Sequence, residues 1–435
     1  MRRWRIWNHL SSSLWFVPIL CVLAGVGLSF ATIAIDRSAG AVIPRSLSGD
    51  PDAALSILTT VAASMVTLTG LVLTITMVVV QLAMGQFTPR VLRTILRDRP
   101  SQFAIGVFVA TFAHAMLVMR EVKQPTQASP EGFVPGVAIV VAFVLILVSI
   151  MVLVSYVNHI GQSLRASSLI DSVGDDTRKL IVELYPLELP ERAPADDVPE
   201  GAPAALVAAP KPGVLFKVAE DELVEVAERN DVCVVLRPRI GDFVPEGATV
   251  FAVYGRRPVD AGDLLSGVVF GKDRTLHADV AYGIRMLVDV AVRSLSSAMG
   301  DATTAVQAMD RIHDCLRMLV TRPFPTGRHA GASGRLRLVV PALSWEGYVH
   351  VALDELRHLS VNSIQATRRL SAMLEDLIAV APPKRQPPLR HQLALLDTMV
   401  EHRFAETGEA AWALEPDQQG VGSGRSEILQ RVAGT

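Results

Sequence analysis

Phe133–Val157 reads FVPGVAIVVAFVLILVSIMVLVSYV, without a single Asp, Glu, Lys or Arg. A helix rises ~1.5 Å per residue, so about 20 such residues cross a hydrocarbon core of ~30 Å. An isolated strand would leave its backbone amides unpaired in lipid, so the stretch can span only as a helix. Three more uncharged apolar stretches precede it: Leu14–Ile35, Ala54–Met84 and Phe103–Met119. The first, second and fourth clear the spanning length. The third, counted from Phe103, is short and has to stand upright or recruit its flanks. The first stretch has a basic start (Arg2, Arg3, Arg5) but exceeds a signal core in length and ends without a small-residue cleavage site, so it reads as an uncleaved helix.

Lys and Arg in the short loops set the orientation. The N-terminal tail holds three arginines, and the loop after the second stretch holds Arg90, Arg93, Arg97 and Arg99. The other two loops carry Arg37 and Arg45, and Arg120 and Lys123. The tail and the arginine-rich loop are therefore expected in the cytoplasm of a bacterial inner membrane. Four spans then return the chain to that side, with both termini cytoplasmic. The three cysteines form no CxxC or Cys/His metal spacing, and the net charge of −2 argues against a nucleic-acid partner.

The expected fold class is mainly α: a four-helix transmembrane domain (1–160) followed by a cytoplasmic α+β domain, a small β-sandwich-like module plus a helical bundle. Residues 161–189 continue the fourth helix and stop at Pro186. Residues 190–213 hold six prolines among Ala, Asp and Glu and read as a linker. Residues 214–275 form the module, with strands at 214–218, 232–237 and 249–254 and a helix at 221–229. Its corner, Arg239–Gly247 (RIGDFVPEG), is similar to a corner of lipoyl-type barrel-sandwich domains. No lysine lies between Lys217 and Lys272, so the attachment chemistry of such domains is missing and no cofactor is expected. Residues 276–406 read as amphipathic helices interrupted by a Pro/Gly/Arg loop at 322–337, and 407–435 as a frayed polar tail.

Two further runs carry a family resemblance. QFTPRVLRTILRD (Gln86–Asp98), with Gln81-Leu82 before it, resembles bacterial predicted membrane proteins grouped as domain of unknown function 2254. YGIRMLVDVA (Tyr282–Ala291), followed by GDATTA (Gly300–Ala305), is similar to that family's second signature. The resemblance spans nearly the whole chain and implies this architecture. Gly300 and Ala302 stand where the family usually has Asn and Pro, and Ser297 where it has Pro. The family brings no established activity.

Several side chains stand out. In the second span Thr60, Thr67, Thr74 and Gln81 recur every seven residues, with Ser56 and Ser64 near the same face. Such a stripe lines a pore, its hydroxyls replacing hydration water, or it packs helices closely. His114 is an intramembrane titratable group, which marks either a gate or proton-linked element or an interfacial packing position. Gly106 and Ala110 add a small face to its helix. Thr88–Arg99 reads as an interfacial amphipathic helix whose arginines contact anionic lipid, or line a cytoplasmic mouth and select anions. Asp301, Thr303 and Thr304 stand at a helix N-terminus that can hold an anion or simply be capped. Asp310 and His313 share a helix face, with Asp289 on the helix before. No Walker, dinucleotide, HExxH or GxSxG pattern occurs and no catalytic or metal residue emerges.

These readings converge on a homo-oligomeric ion channel or pore gated by its cytoplasmic domain, because four helices are few to enclose a path in one subunit. The alternative is a membrane-anchored scaffold or sensor whose cytoplasmic domain binds a partner or small ligand. An enzyme ranks third. The expected partners are anionic lipids, further copies of the chain and a small ion or solute.

Overall fold

A computed structural model describes residues 16–38, 50–86, 99–124, 133–163, 166–188, 197–276, 279–297 and 300–423. The chain divides into two compact units, Met1–Ser168 and Leu169–Thr435. The first holds α1 (Phe16–Ser38), α2 (Pro51–Gln86), α3 (Arg99–Met119) and α4 (Gly136–Ser163), all long and apolar enough to cross a membrane.

α3 packs against the other three. It is the least hydropathic of the four and the most buried, half of its span being shielded within the unit. The sequence reading clipped it at Phe103. Ser101 and Gln102 are buried, so the helix carries these polar residues inside the unit and extends back to Arg99. The fourth helix begins at Gly136 instead of Phe133, because Phe133 pairs with Lys123 in an isolated β-bridge.

The second unit opens with most of α5 (Ala166–Leu184). The sheet portion has β1 (Ala205–Ala208), β2 (Gly213–Val218), α6 (Glu220–Arg229), β3 (Cys233–Leu236), β4 (Phe243–Val244), β5 (Thr249–Tyr254), α7 (Ala261–Ser266) and β6 (Val268–Gly271). Then come α8 (Val280–Ser296), α9 (Ala302–Thr321), β7 (Arg328–Ala330), β8 (Leu336–Val339), α10 (Trp345–Ser360), α11 (Ile364–Val380), α12 (Gln386–Arg403) and α13 (Ala410–Leu414). One sheet runs β1-β5-β3-β8-β7 and the other β4-β2-β6. Leu215, Leu223, Val234, Phe251, Leu264 and Leu338 fill the core of this portion.

Three expectations are corrected here. The Pro/Ala stretch 190–213 is not wholly linker, because Ala205–Ala208 pairs antiparallel with β5. The chain is not purely helical after 276. It returns to the sheet through β7 and β8, and β8 lies parallel to β3 in the register Val234↔Leu338. The tail is not frayed from 407. The guanidinium of fully buried Arg368 donates to the carbonyls of Glu415, Gly422 and Ser423 and stacks on Trp412, 3.9 Å from the ring centroid. Asp417 binds Gln419 and Gly422 amides and closes that loop.

Candidate functional site

In the first unit, several buried polar groups join helices. His114 is fully buried. Its Nδ1 lies 2.9 Å from Ser29 Oγ on α1 and its Nε2 lies 3.1 Å from the Ala138 carbonyl at the start of α4. A carbonyl can only accept, so Nε2 carries the proton and, in the neutral ring, Nδ1 accepts from Ser29. Asp36 of α1 accepts from the Val137 and Ala138 amides at 2.9 and 3.0 Å, satisfying two of the N–H groups that the first turn of α4 leaves open. Ala138 thus gives its amide to Asp36 and its carbonyl to His114. Thr76 meets Tyr156 at 2.8 Å, joining α2 to α4, and Thr111 meets Ser149 at 3.3 Å, joining α3 to α4.

The α1–α3 crossing is built from small residues. A Cβ on Gly25 would stand 2.9 Å from Ala110 Cβ, and one on Gly106 would stand 2.8 Å from Cys21 Sγ. Backbones approach this closely only where side chains are absent.

The α2 stripe faces elsewhere. Thr60, Ser64, Thr67, Thr74 and Gln81 are all exposed, with Ala63 and Gly70 between them. Each hydroxyl donates to the carbonyl one turn back: Thr60 to Ser56, Ser64 to Thr60, Thr67 to Ala63 and Thr74 to Gly70, at 2.7–3.0 Å. The donors are consumed by the helix, and what the face presents outward is oxygen lone pairs. The opposite face of α2, with Leu58, Met65 and Val72, packs in the unit's core.

Arg90, Arg93 and Arg97 lie outside the described residues, and Arg99 is the first residue of α3.

In the second unit, Asp301 caps α9, its Oδ1 accepting from the Thr304 amide at 3.0 Å. The amide that an anion would use is taken by the chain's own carboxylate, and Thr303 stays exposed beside it. Asp310 and His313 join an ionic network with α11. Arg369 donates to Asp310 Oδ1 at 2.7 Å and to His313 Nδ1 at 3.1 Å, while His313 Nε2 lies 2.8 Å from Asp376, which also binds Arg317. Burial, with the Arg369 charge beside it, pushes the His313 pKa down despite Asp376. The arrangement uses neutral histidine as an acceptor from Arg369 and a donor to Asp376.

The second signature run is also structural. A Cβ on Gly283 would collide with Thr177 of α5, so this glycine lets α5 lie close on α8. Asp289 binds Arg285 at 2.9 Å, and Arg285 reaches Glu355 of α10 at 2.7 Å.

Sequence reasoning missed a cleft of about 580 Å3 in this unit, between the sheet and the helices. Its walls include Arg239, Ile240, Arg274, Asp279, His329 and Tyr348. Tyr348 meets Tyr185 hydroxyl to hydroxyl at 2.8 Å, and burial holds both phenols above their usual range. Asp279 caps α8 by accepting from the Tyr282 amide at 3.1 Å, and burial raises its pKa against that bond and the nearby Arg274. The signal in the sequence was faint: the corner 239–247 and the Pro/Gly/Arg stretch 322–337 are turn-rich, and nothing local says that they meet.

A protein-family model described as predicted membrane protein (DUF2254) matches residues 11–376. Uncharacterized proteins of Mycobacterium bovis and Mycobacterium tuberculosis are similar to the chain along nearly its whole length. Each is 29% identical over an alignment of 450 residues that covers 99% of this chain and 83% of the relative. No solved structure matches.

Proposed function

Since the chain belongs to the DUF2254 family of predicted membrane proteins, with four apolar helices to place in a bilayer, we propose that it works as a homo-oligomeric pore whose path runs between subunits along α2. The observation that carries this reading is the exposed stripe Thr60–Gln81, which points away from α1, α3 and α4. Copies arranged about an axis bring their stripes together, as closed symmetry favours. Because the hydroxyl protons are donated back along the helix, the lined path offers acceptors and suits small cations. The protein sits in a bacterial inner membrane with both termini and the second unit in the cytoplasm, following the arginine-rich tail and loop. Arg90, Arg93, Arg97 and Arg99 then lie at the inner surface beside anionic lipid headgroups. The second unit regulates the path.

Flux of K+ and of Cl− through purified protein in liposomes tests this. K+ should pass faster than Cl−, and Thr67→Leu, at an exposed position that leaves the fold alone, should cut K+ flux at equal reconstitution. No flux under voltage, tension or pH steps, or flux that Thr67→Leu leaves unchanged, would overturn it. The ligand-sized cleft in the second unit favours a second reading, a membrane-anchored sensor. That reading gains if no flux is found while the cleft binds a small molecule.

A further inference from the structure

β3 and β8 are parallel neighbours in an otherwise antiparallel sheet, and their chains leave it at the same end. After β3 the chain turns through Arg239–Asp242 toward β4 and β5. After β8 it runs through Val340–Leu343 into α10. Both segments line the cleft. Crevices outside the carboxyl ends of parallel strands are the usual ligand sites of open sheets, because the diverging loops leave a gap between them. At about 580 Å3 this gap has the size of small-molecule pockets.

Its charges are unevenly committed. Four carboxylates line it, Glu183, Glu220, Asp242 and Asp279, and two of them are turned into the backbone: Asp242 accepts from the Arg239 amide at 2.9 Å, and Asp279 caps α8. Arg239 and the His329 ring are held loosely, whereas Arg274 is hydrogen-bonded. Arg239 Nε is 3.8 Å from Asp242 and His329 Nε2 is 3.5 Å from Glu220, both beyond good hydrogen-bond length, while Arg274 Nε rests on the Gly241 carbonyl. Ile240 and Val340 supply apolar wall.

We propose that this cleft binds a small organic anion, its phosphate or carboxylate head taken by Arg239, Arg274 and His329 and its apolar body laid on Ile240 and Val340. A phosphate or carboxylate oxygen takes charge-assisted hydrogen bonds from the donors that these long contacts leave unused. The inference holds for a pore or an anchored sensor alike, and its test involves no flux.

The full-length chain in detergent is titrated with adenosine 5′-monophosphate, benzoate, inorganic phosphate and neutral adenosine, reading heat and melting temperature. At least one of the two organic anions should bind and raise the melting temperature, inorganic phosphate and adenosine at least tenfold more weakly. Arg239→Gln should weaken binding about tenfold or more. Ala342→Trp, at an exposed wall position, should block it without shifting the ligand-free melt. The proposal fails if neither organic anion binds at millimolar concentration. It also fails if adenosine binds as well as its phosphate, or if Ala342→Trp binds like the parent.

Discussion

Replacing His114 by leucine separates a structural imidazole from an incidental one. Leucine keeps an apolar side chain at a fully buried position but removes the bonds to Ser29 and to the Ala138 carbonyl. Neither partner is orphaned. Released from Nδ1, the Ser29 proton turns to the Gly25 carbonyl, 2.8 Å away, and the Ala138 carbonyl lies in the first turn of α4, where helical carbonyls have partners of their own. The cost is therefore that of two interhelical hydrogen bonds in a membrane protein, ~0.6 kcal/mol each on average and up to ~1.7. The sum is about 1–3 kcal/mol. For a unit of this size each kcal/mol moves the midpoint ~2–4 °C, so the variant should melt about 2–12 °C lower. Scanning fluorimetry of the detergent-purified protein measures it. His114→Gln, whose amide offers one donor and one acceptor, should recover part of the loss. A leucine variant that melts at or above the parent would refute the claim that this imidazole ties α1, α3 and α4 together.

Gly25→Ala and Gly106→Ala should each cost about 1–3 kcal/mol by overpacking the α1–α3 crossing, read as a lower melting temperature or reduced folded yield. Arg368→Met removes the donor to three carbonyls of 415–423. The segment should loosen, and trypsin should cut near Arg403 at least ~10-fold faster, the equivalent of one charge-assisted bond of ~1.5 kcal/mol. His313 is held neutral by burial, so its folded pKa lies below the unfolded ~6.5 and the unfolded chain takes up the proton first. Stability of the second unit should be full above about pH 6.5 and fall as the pH drops below it, and His313→Gln should flatten that part of the melting-versus-pH curve. Burial pushes the Cys315 thiol up to about 12, so a maleimide at pH 7.5 should leave it unmodified until the protein is unfolded, as mass spectrometry would show.

The spans were legible because nothing but a helix satisfies such a backbone in lipid. Which span would be central was legible only in part. The polar content of α3, with His114, Thr111, Ser101 and Gln102, becomes intelligible once all four prove buried. The strands 214–218 and 249–254 stand out in the sequence because their apolar runs are bounded by turn residues. β1, β7 and β8 do not, each having three or four residues set among Pro, Gly or Arg and lacking the β-branched run that marks the equally short β3. Ala205–Ala208 lies among prolines and becomes a strand only against Thr249–Val253. Arg328–Ala330 and Leu336–Val339 sit in a stretch whose Pro, Gly and Arg content reads as loop, and the parallel pairing with β3 spans about a hundred residues of chain. The cleft depends on that pairing, so no local pattern could have announced it. The tail misled for a related reason: its Gly-rich composition is that of disorder, and one buried arginine some fifty residues upstream orders it.

The α2 stripe was visible from its spacing of seven, but its meaning turned on which way it faced. Inside the unit, Ser29, Thr76 and Thr111 touch their own helix carbonyls and also reach a group on another helix. The stripe hydroxyls fold back on their own helix. Back-bonding would suffice for a face that meets only lipid. Lipid, however, has no periodicity to impose, and the stripe has one. Thr60, Ala63, Thr67, Gly70 and Thr74 alternate three and four residues apart, all small and all exposed. That is the 3.5-residue repeat by which one helix keeps a seam against another. Large apolar residues crowd other exposed positions of α2, as at Val66, Leu71, Leu73 and Val78, and are missing from the seam between 60 and 74. A surface that is hydroxyl-bearing, small and in register for a partner helix is what a subunit contact or a path between subunits needs. Thr67, at its middle, is the position where the two can be told apart: a bulky leucine would pry apart a dry contact and lower oligomer mass, whereas in a wet path it would leave the oligomer intact and slow the ion.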